Sequence, residues 1–402
     1  MPPELEAPQD AALVHVGDLD APGTHVLLVG IGAYDCLENG VAEKPDIAMG
    51  MGQLKSPLAS AKDLADWFLS GEFQNPERPL ASLAMVVGSP QPFIYQHEKA
   101  NAVQASLPSG TAAEVQSAVR AWLERASSHT ENQTIFYFCG HGVYSGNEVL
   151  LCRDYGSVTN DRFDGAINLN NMSAAMATLV PEYQVFLIDA CRTPDALNDL
   201  LTSYANPGKP CLSPVPISER GDRAQQSVHF AASELQSSYG QTEGSSVYCD
   251  ALIRSLSHGG AQADLGNYVG TDGLQMALSG FARRLSAELD VEQKPDRSRS
   301  ASFAIHKPPK VRASVFFHIA PSDAWNNEFT LSATCTKGNI EVCIDNKADS
   351  KMRKTDHVLD VDKYNFLAKF VDGAPFNDWQ EEGVMVYPPA IDVTLHLKGR
   401  DR

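Results

Sequence analysis

Short, continuous apolar runs punctuate the first 306 residues of this chain. Val26-Leu27-Leu28-Val29 within His25–Gly32, Leu83-Ala84-Met85-Val86-Val87, Ile135-Phe136-Tyr137-Phe138 and Val185-Phe186-Leu187-Ile188 are each strand-length and rich in β-branched or aromatic side chains. Runs without polar alternation suit strands buried on both faces, as in parallel sheets. Helical periods lie between them. Ser56 is placed to cap a helix with Pro57 at its first position, continuing through Ala61, Leu64, Ala65, Trp67 and Phe68. Thr111 opens a second, with Val115, Ala118, Val119, Trp122 and Leu123 on one face. The β-α-β-α-β alternation predicts an α/β fold, a mostly parallel sheet with helices on both sides. A second block predicts helices over 169–179, 247–256 and 274–289, strands over 183–190 and 227–232, and a last strand of the sheet at Ser302–Ile305.

The pattern changes after Lys307-Pro308-Pro309-Lys310, which reads as a linker. Alternating runs at Ser314–Ile319, Phe329–Cys335, Ile340–Ile344, Tyr364–Val371 and Ile391–Leu397, separated by Gly, Asp and Asn, predict a small all-β, sandwich-like domain over 311–402. It lacks catalytic spacing, which leaves binding of substrate, a regulator or a second copy, or bracing of the sheet. Residues 1–23 are acidic and Pro-containing and read as a flexible leader. The main domain is expected over 24–306.

Composition narrows the function classes. The 402 residues are 43% hydrophobic and 20% charged, ordinary for a folded protein, with a net charge of −18. That balance argues against nucleic acid or anionic lipid as partner. The longest apolar stretch, His25–Tyr34, is too short to span a bilayer, and the first twenty residues carry no basic signal-peptide start. Eight Cys without a C-x-x-C pair predict reduced thiols and a cytoplasmic location, with no metal or other cofactor. Gly30-Ile31-Gly32 mimics a dinucleotide fingerprint, but Asp35 occupies the position of the third Gly. Asp154, Asp161 and Asp164 lack the spacing of an EF-hand.

Two of the apolar strands run into reactive side chains. Thr134–Gly140 is followed by His141-Gly142, and Val185–Ala190 by Cys191-Arg192, so the His precedes the Cys by 50 residues. A thiol becomes a good nucleophile at neutral pH when a base takes its proton, and imidazole is tuned for that. Parallel strands would place both groups at one edge of the sheet.

The Gly140-His141-Gly142 and Asp189-Ala190-Cys191-Arg192 turns, with the strand and helix order around them, resemble the caspase-like cysteine peptidases, in particular their metacaspase and paracaspase branch. The resemblance covers roughly residues 24 to 306. It implies the caspase fold, His141 as general base and Cys191 as nucleophile, with the N–H groups of Gly142 and Cys191 as the oxyanion hole. Animal caspases carry Gln two residues before the Cys and Gly two residues after it; here these are Asp189 and Thr193. The family position puts Asp189 in the S1 pocket, where an anion attracts Arg or Lys at P1 and repels Asp. Asp35, after the first strand, and Glu234, after the strand over 227–232, are further S1 candidates by the same resemblance; Gln236 and Tyr239 are candidates to shape the cleft. The long, Pro-rich segment from Arg192 to Gln226 corresponds to the linker whose cleavage matures caspase-like zymogens. Arg220 and Arg223 are its candidate cleavage sites, for this enzyme or an upstream activating protease. The expectation is an endopeptidase acting on proteins or peptides after Arg, with Lys second, as an effector in signalling, defence or cell death. The alternative is a catalytically silent scaffold that binds partners through the C-terminal β domain.

Overall fold

The computed structural model describes residues 10–102, 106–144, 146–191, 207–212, 224–232, 244–289, 291–335, 340–346 and 356–400. A seven-stranded sheet forms its centre. Its members are β1 (Leu13–Val16), β2 (Thr24–Ile31), β3 (Leu80–Gly88), β4 (Gln133–Gly140), β8 (Tyr183–Ala190), β9 (Gln225–Phe230) and β12 (Asp296–Ser298), with spatial order β1-β3-β2-β4-β8-β9-β12. Strands β3, β2, β4, β8 and β9 are mutually parallel, while β1 and β12 close the edges antiparallel. Every residue of β2 and β4 is buried, which is why these strands read as unbroken apolar runs.

Alternate residues of each strand feed two cores. Leu27, Val29, Phe136, Phe138, Phe186 and Ile188 pack with Val115 and Trp122 of the helix Ala112–Ala126 and Met172 of the helix Leu169–Met176. On the other face Val26, Leu28, Ile135, Tyr137, Val185 and Leu187 pack with the helices Ser56–Ser70, Val247–Arg254 and Thr271–Glu288. Thr111 and Glu114 form a reciprocal capping box at the start of Ala112–Ala126, as Thr111 foretold. Gly30 and Gly32 have a packing role. A Cβ on Gly30 would lie 2.4 Å from the Pro57 carbonyl oxygen, and one on Gly32 2.4 Å from that of Leu54. The glycines let the helix Ser56–Ser70 press against the strand end.

Two short sheets extend the framework. One joins β5 (Gly142–Tyr144), β6 (Glu148–Leu151) and β7 (Ala166–Asn168); the other joins β10 (Ala261–Gln262), β11 (Tyr268–Gly270) and β13 (Ala304–His306). Two expectations change here. Residues 13–16 of the expected leader form an edge strand against β3, with Val14 fully buried. The last strand of the central sheet is β12, whereas the run near Ser302–Ile305 joins the small sheet with β11. Strand β12 was not visible in periodicity because it is Asp-Arg-Ser, a three-residue polar edge, whereas β1 is a four-residue, mostly apolar run, Leu-Val-His-Val, too short to stand out in an acidic, Pro-containing stretch.

Beyond residue 311, β14 (Arg312–Ala320), β17 (Asp356–Asp360) and β20 (Ala390–His396) form one sheet. A second contains β15 (Phe329–Cys335), β16 (Ile340–Asn346), β18 (Lys363–Phe370) and β19 (Trp379–Met385). Val315, Phe317, Leu331, Phe366, Val393 and Leu395 fill a core of their own. This unit docks on the helical face of the first. Phe316 joins the core around Phe281, the Arg284 guanidinium stacks on Phe316 with its carbon 4.8 Å from the ring centre, and Arg284 pairs with Asp392 at 2.7 Å. Arg254 pairs with Asp356, and His258 Nε2 meets Ser314 Oγ at 2.9 Å.

Candidate active site

The register of two neighbouring strands assembles the site. Strands β4 and β8 pair in parallel from Gln133↔Tyr183 to Gly140↔Ala190, so His141 and Cys191 are the first residues past a matched pair. Adjacent strands run about 4.8 Å apart, which puts the two residues side by side at the carboxyl edge of the sheet. The site lies beside β2, where the strand order turns back between β3 and β4, the usual crevice for a ligand in an open α/β sheet.

His141 is held through its ring and its backbone. Nε2 lies 2.8 Å from the Gly52 carbonyl oxygen. A carbonyl only accepts, so Nε2 carries the proton and Nδ1 keeps its lone pair. The Tyr34 hydroxyl accepts from the His141 backbone N–H at 2.7 Å, and the two rings lie 4.9 Å apart at 48°. Burial lowers the imidazole pKa below its ordinary 6.5, partly offset by the bond to Gly52. The ring is therefore neutral at neutral pH, with its Nδ1 lone pair able to take a proton. Gly52 is fixed from behind by its neighbour. The Gln53 side chain donates to the Tyr34 and Glu38 carbonyls at 3.1 and 2.9 Å and accepts from the Tyr34 N–H at 2.8 Å.

Cys191 is half-buried, whereas Cys36, Cys139, Cys152, Cys211, Cys249 and Cys335 are buried; all seven are thiols. Burial pushes the Cys139, Cys152 and Cys249 thiols well above their ordinary value, so these stay protonated. Gly142 packs directly on the Cys191 turn. A Cβ there would lie 2.8 Å from Ala190 Cβ and 3.0 Å from the Cys191 carbonyl oxygen. Leu151 N–H donates to the His141 carbonyl at 2.9 Å, and Gly142 faces Leu150 across the β5–β6 pair. That makes Gly142 and Leu150 a non-hydrogen-bonded pair, which does not consume the Gly142 N–H in the ladder.

Asp189 is 3% exposed and points to the face of Val185 and Leu187. Its Oδ2 accepts from the Tyr137 hydroxyl at 3.1 Å and from the Ser246 hydroxyl. Ser246 also caps the helix Val247–Arg254 by accepting from Cys249 N–H at 2.9 Å. Two hydroxyls donating to one oxygen suit a carboxylate, which only accepts.

Other sequence candidates are placed differently. The Asp35 carboxylate is paired with Arg153 at 3.0 Å, and both residues are part-buried. Glu234, Gln236, Tyr239, Arg220 and Arg223 lie outside the described residues. Within the segment Arg192–Gln226, residues 207–212 dock beside β7. Lys209 N–H donates to Ala166 O at 2.7 Å, Asn168 N–H donates to Lys209 O at 2.9 Å, and Lys209 Nζ pairs with Asp164 at 3.0 Å. Asp154 accepts from Ala112 N–H at 2.8 Å. Among the described residues no three His, Cys, Asp or Glu side chains converge on one point as metal ligands would, and no helix is long and apolar enough to cross a membrane.

A family model described as Caspase domain matches residues 24–301. The chain belongs to the caspase family. This is a family of cysteine peptidases, which act on proteins, and the central parallel sheet flanked by helices is its fold. Among curated proteins the chain is similar to the uncharacterized protein y4kE of Sinorhizobium fredii (strain NBRC 101917 / NGR234). The two are 28% identical over 245 residues, covering 56% of this chain and 68% of that protein. Among solved structures it is similar to caspase-1 from Spodoptera frugiperda, with 13% identity and a TM-score of 0.41, covering 77% of this chain and 97% of that one.

Sequence reasoning missed Tyr34, Gly52, Gln53, Tyr137 and Ser246. A Tyr just past the first apolar strand and a Ser before a helix were both visible, but neither has a spacing that points to the site. Their roles come from contacts 107 and 57 residues away along the chain.

Proposed function

We propose that this caspase-family chain is a cysteine endopeptidase with a His141–Cys191 dyad that cuts after Arg, with Lys second. The observation that carries the reading is the Gly140↔Ala190 register, which sets both residues at adjacent strand ends, with His141 Nε2 committed to Gly52. In the reaction, Cys191 Sγ attacks the scissile carbonyl carbon while its proton passes to His141 Nδ1. The carbonyl electrons move to oxygen, and the N–H groups of Gly142 and Cys191 stabilise the oxyanion. Collapse expels the amine, which takes the proton from His141 and leaves a thioester. Water, deprotonated by the same imidazole, then releases the acid and restores the thiol. Asp189 supplies the anion for a P1 guanidinium, oriented by Tyr137 and Ser246.

In this reading the enzyme is a zymogen-type effector, cytoplasmic, and matured by cleavage at Arg220 or Arg223. Arg220→Ala/Arg223→Ala protein that runs as an intact chain with unchanged activity would remove the maturation step from the account. The catalytic claim is tested by turnover of fluorogenic peptides bearing Arg, Lys or Asp at P1, with wild type and Cys191→Ala. Turnover of the Arg peptide that vanishes in the variant supports it. Turnover of the Asp peptide alone contradicts the role of Asp189.

A further inference from the structure

We propose that Tyr34 is a positioning residue for the His141 base, acting as a hydroxyl inserted between two diverging strands. The inference rests on the dyad reading above and assigns the imidazole's orientation to a residue outside the dyad. Pairing between β2 and β4 extends as far as Gly30↔Cys139. Past that point the β2 chain swings toward β3, where Gly32 and Ala33 both donate to the Gly88 carbonyl at 2.8 and 2.9 Å. The Ile31 carbonyl and the His141 N–H are thereby parted at the strand ends. The Tyr34 hydroxyl bridges them, donating to Ile31 O at 3.0 Å and accepting from His141 N–H at 2.7 Å.

The remaining contacts convert this bridge into an aiming device. The Tyr34 ring lies against the imidazole, and Gly52 takes Nε2. Gln53 grips the Tyr34 main chain at both N–H and C=O, so the residue that packs on the ring and the carbonyl that orients it are tied together. Backbone, ring face and one ring nitrogen of His141 are thus fixed, and Nδ1 is left with one direction. Tyr34 is 1% exposed, and burial holds its hydroxyl pKa well above the ordinary 10, so the proton it donates stays in place. Gly140 makes the room, since a Cβ there would approach the Tyr34 hydroxyl oxygen to 2.8 Å.

The test is the pH dependence of Cys191 alkylation by iodoacetamide in the full chain, followed by peptide mapping and set beside kcat and KM on an Arg peptide. Wild type, His141→Ala, Tyr34→Phe and Trp122→Phe are compared; the last removes buried volume far from the site as a stability control. Tyr34→Phe keeps the ring and loses the bridge. It is expected to lower both the neutral-pH alkylation rate and kcat by about tenfold to a hundredfold, the scale of a misaligned catalytic group, with KM within about twofold. Trp122→Phe is expected to keep wild-type alkylation even if its melting temperature falls equally. An alkylation profile unaltered by His141→Ala would defeat the dyad reading itself. A profile altered by His141→Ala but not by Tyr34→Phe would overturn this inference alone, as would equal losses in Tyr34→Phe and Trp122→Phe. Should Tyr34→Phe fail to fold, Gly140→Ala presses on the same hydroxyl without deleting it. It is expected to lower alkylation and kcat together, and wild-type rates in it would overturn the inference.

Discussion

The two halves of this chain bury comparable strands in different ways. Strands β2 and β4 are buried at every position, whereas β15 alternates buried and half-buried residues along its whole length. A strand covered on both faces by helices meets solvent only at its end, which concentrates chemistry there. The sheet of β15, β16, β18 and β19 buries one face, so its polar residues spread along the other, whereas β14 is packed on both faces because it lies at the joint. His141 and Cys191 share an edge because the parallel sheet has a carboxyl edge to share.

The sharpest way to break this contrast is substitution at the edge. Cys191→Ala or His141→Ala is expected to lower kcat/KM on an Arg peptide by at least about 1,000-fold, with little change in the urea midpoint. The second acts on the other half. Phe366 is fully buried in the C-terminal core, and Phe366→Ala should cost about 3–5 kcal/mol in chemical denaturation while leaving kcat per folded molecule near wild type. A matching collapse of kcat in still-folded protein would show that the C-terminal sheets participate in the site.

Acid sharpens the comparison further. His25, His229 and His306 are buried in the first half and His258 at the joint, and burial lowers the pKa of each to about 4. The unfolded chain titrates near 6.5, so it binds protons that the folded chain refuses between those values. Stability from these residues is present above about pH 6.5 and is lost as pH falls toward 4, each accounting for up to roughly 3 kcal/mol. Melting temperature should fall steeply across that window. Glutamine in place of His229 should flatten the fall; an unchanged slope would show that His229 does not carry it.

Smaller effects test the specificity floor and the joint. Ser246→Ala removes one donor from Asp189 and should reduce the Arg-over-Asp preference about tenfold, read as a ratio of kcat/KM values. Arg254→Ala breaks the pair with Asp356 at the joint and should cost about 1 kcal/mol without altering that ratio.

How far the sequence was legible follows from the same contrast. The apolar runs marked β2, β3, β4 and β8 because double burial excludes polar residues from them, and alternation marked β14, β15, β16, β18 and β20. Strands β17 and β19 were missed; β19 carries Gln380-Glu381-Glu382 at an exposed edge and shows no alternation. His141 and Cys191 stood out because each follows such a run at a fixed interval. Tyr34 and Ser246 did not, since their contacts depend on how β2 diverges from β4 and on where a helix starts against β8. The pairing of Asp35 with Arg153, 118 residues away along the chain, was equally invisible before the fold brought the two together.

The most direct test of the central claim is covalent capture. The full chain is treated with peptide chloromethyl ketones bearing Arg or Asp at P1, and the modified residue is mapped by mass spectrometry in wild type and Asp189→Asn. The account predicts modification of Cys191 by the Arg reagent in preference to the Asp reagent, with the preference reduced in Asp189→Asn. Modification of another cysteine, or preferential capture of Cys191 by the Asp reagent, would contradict it.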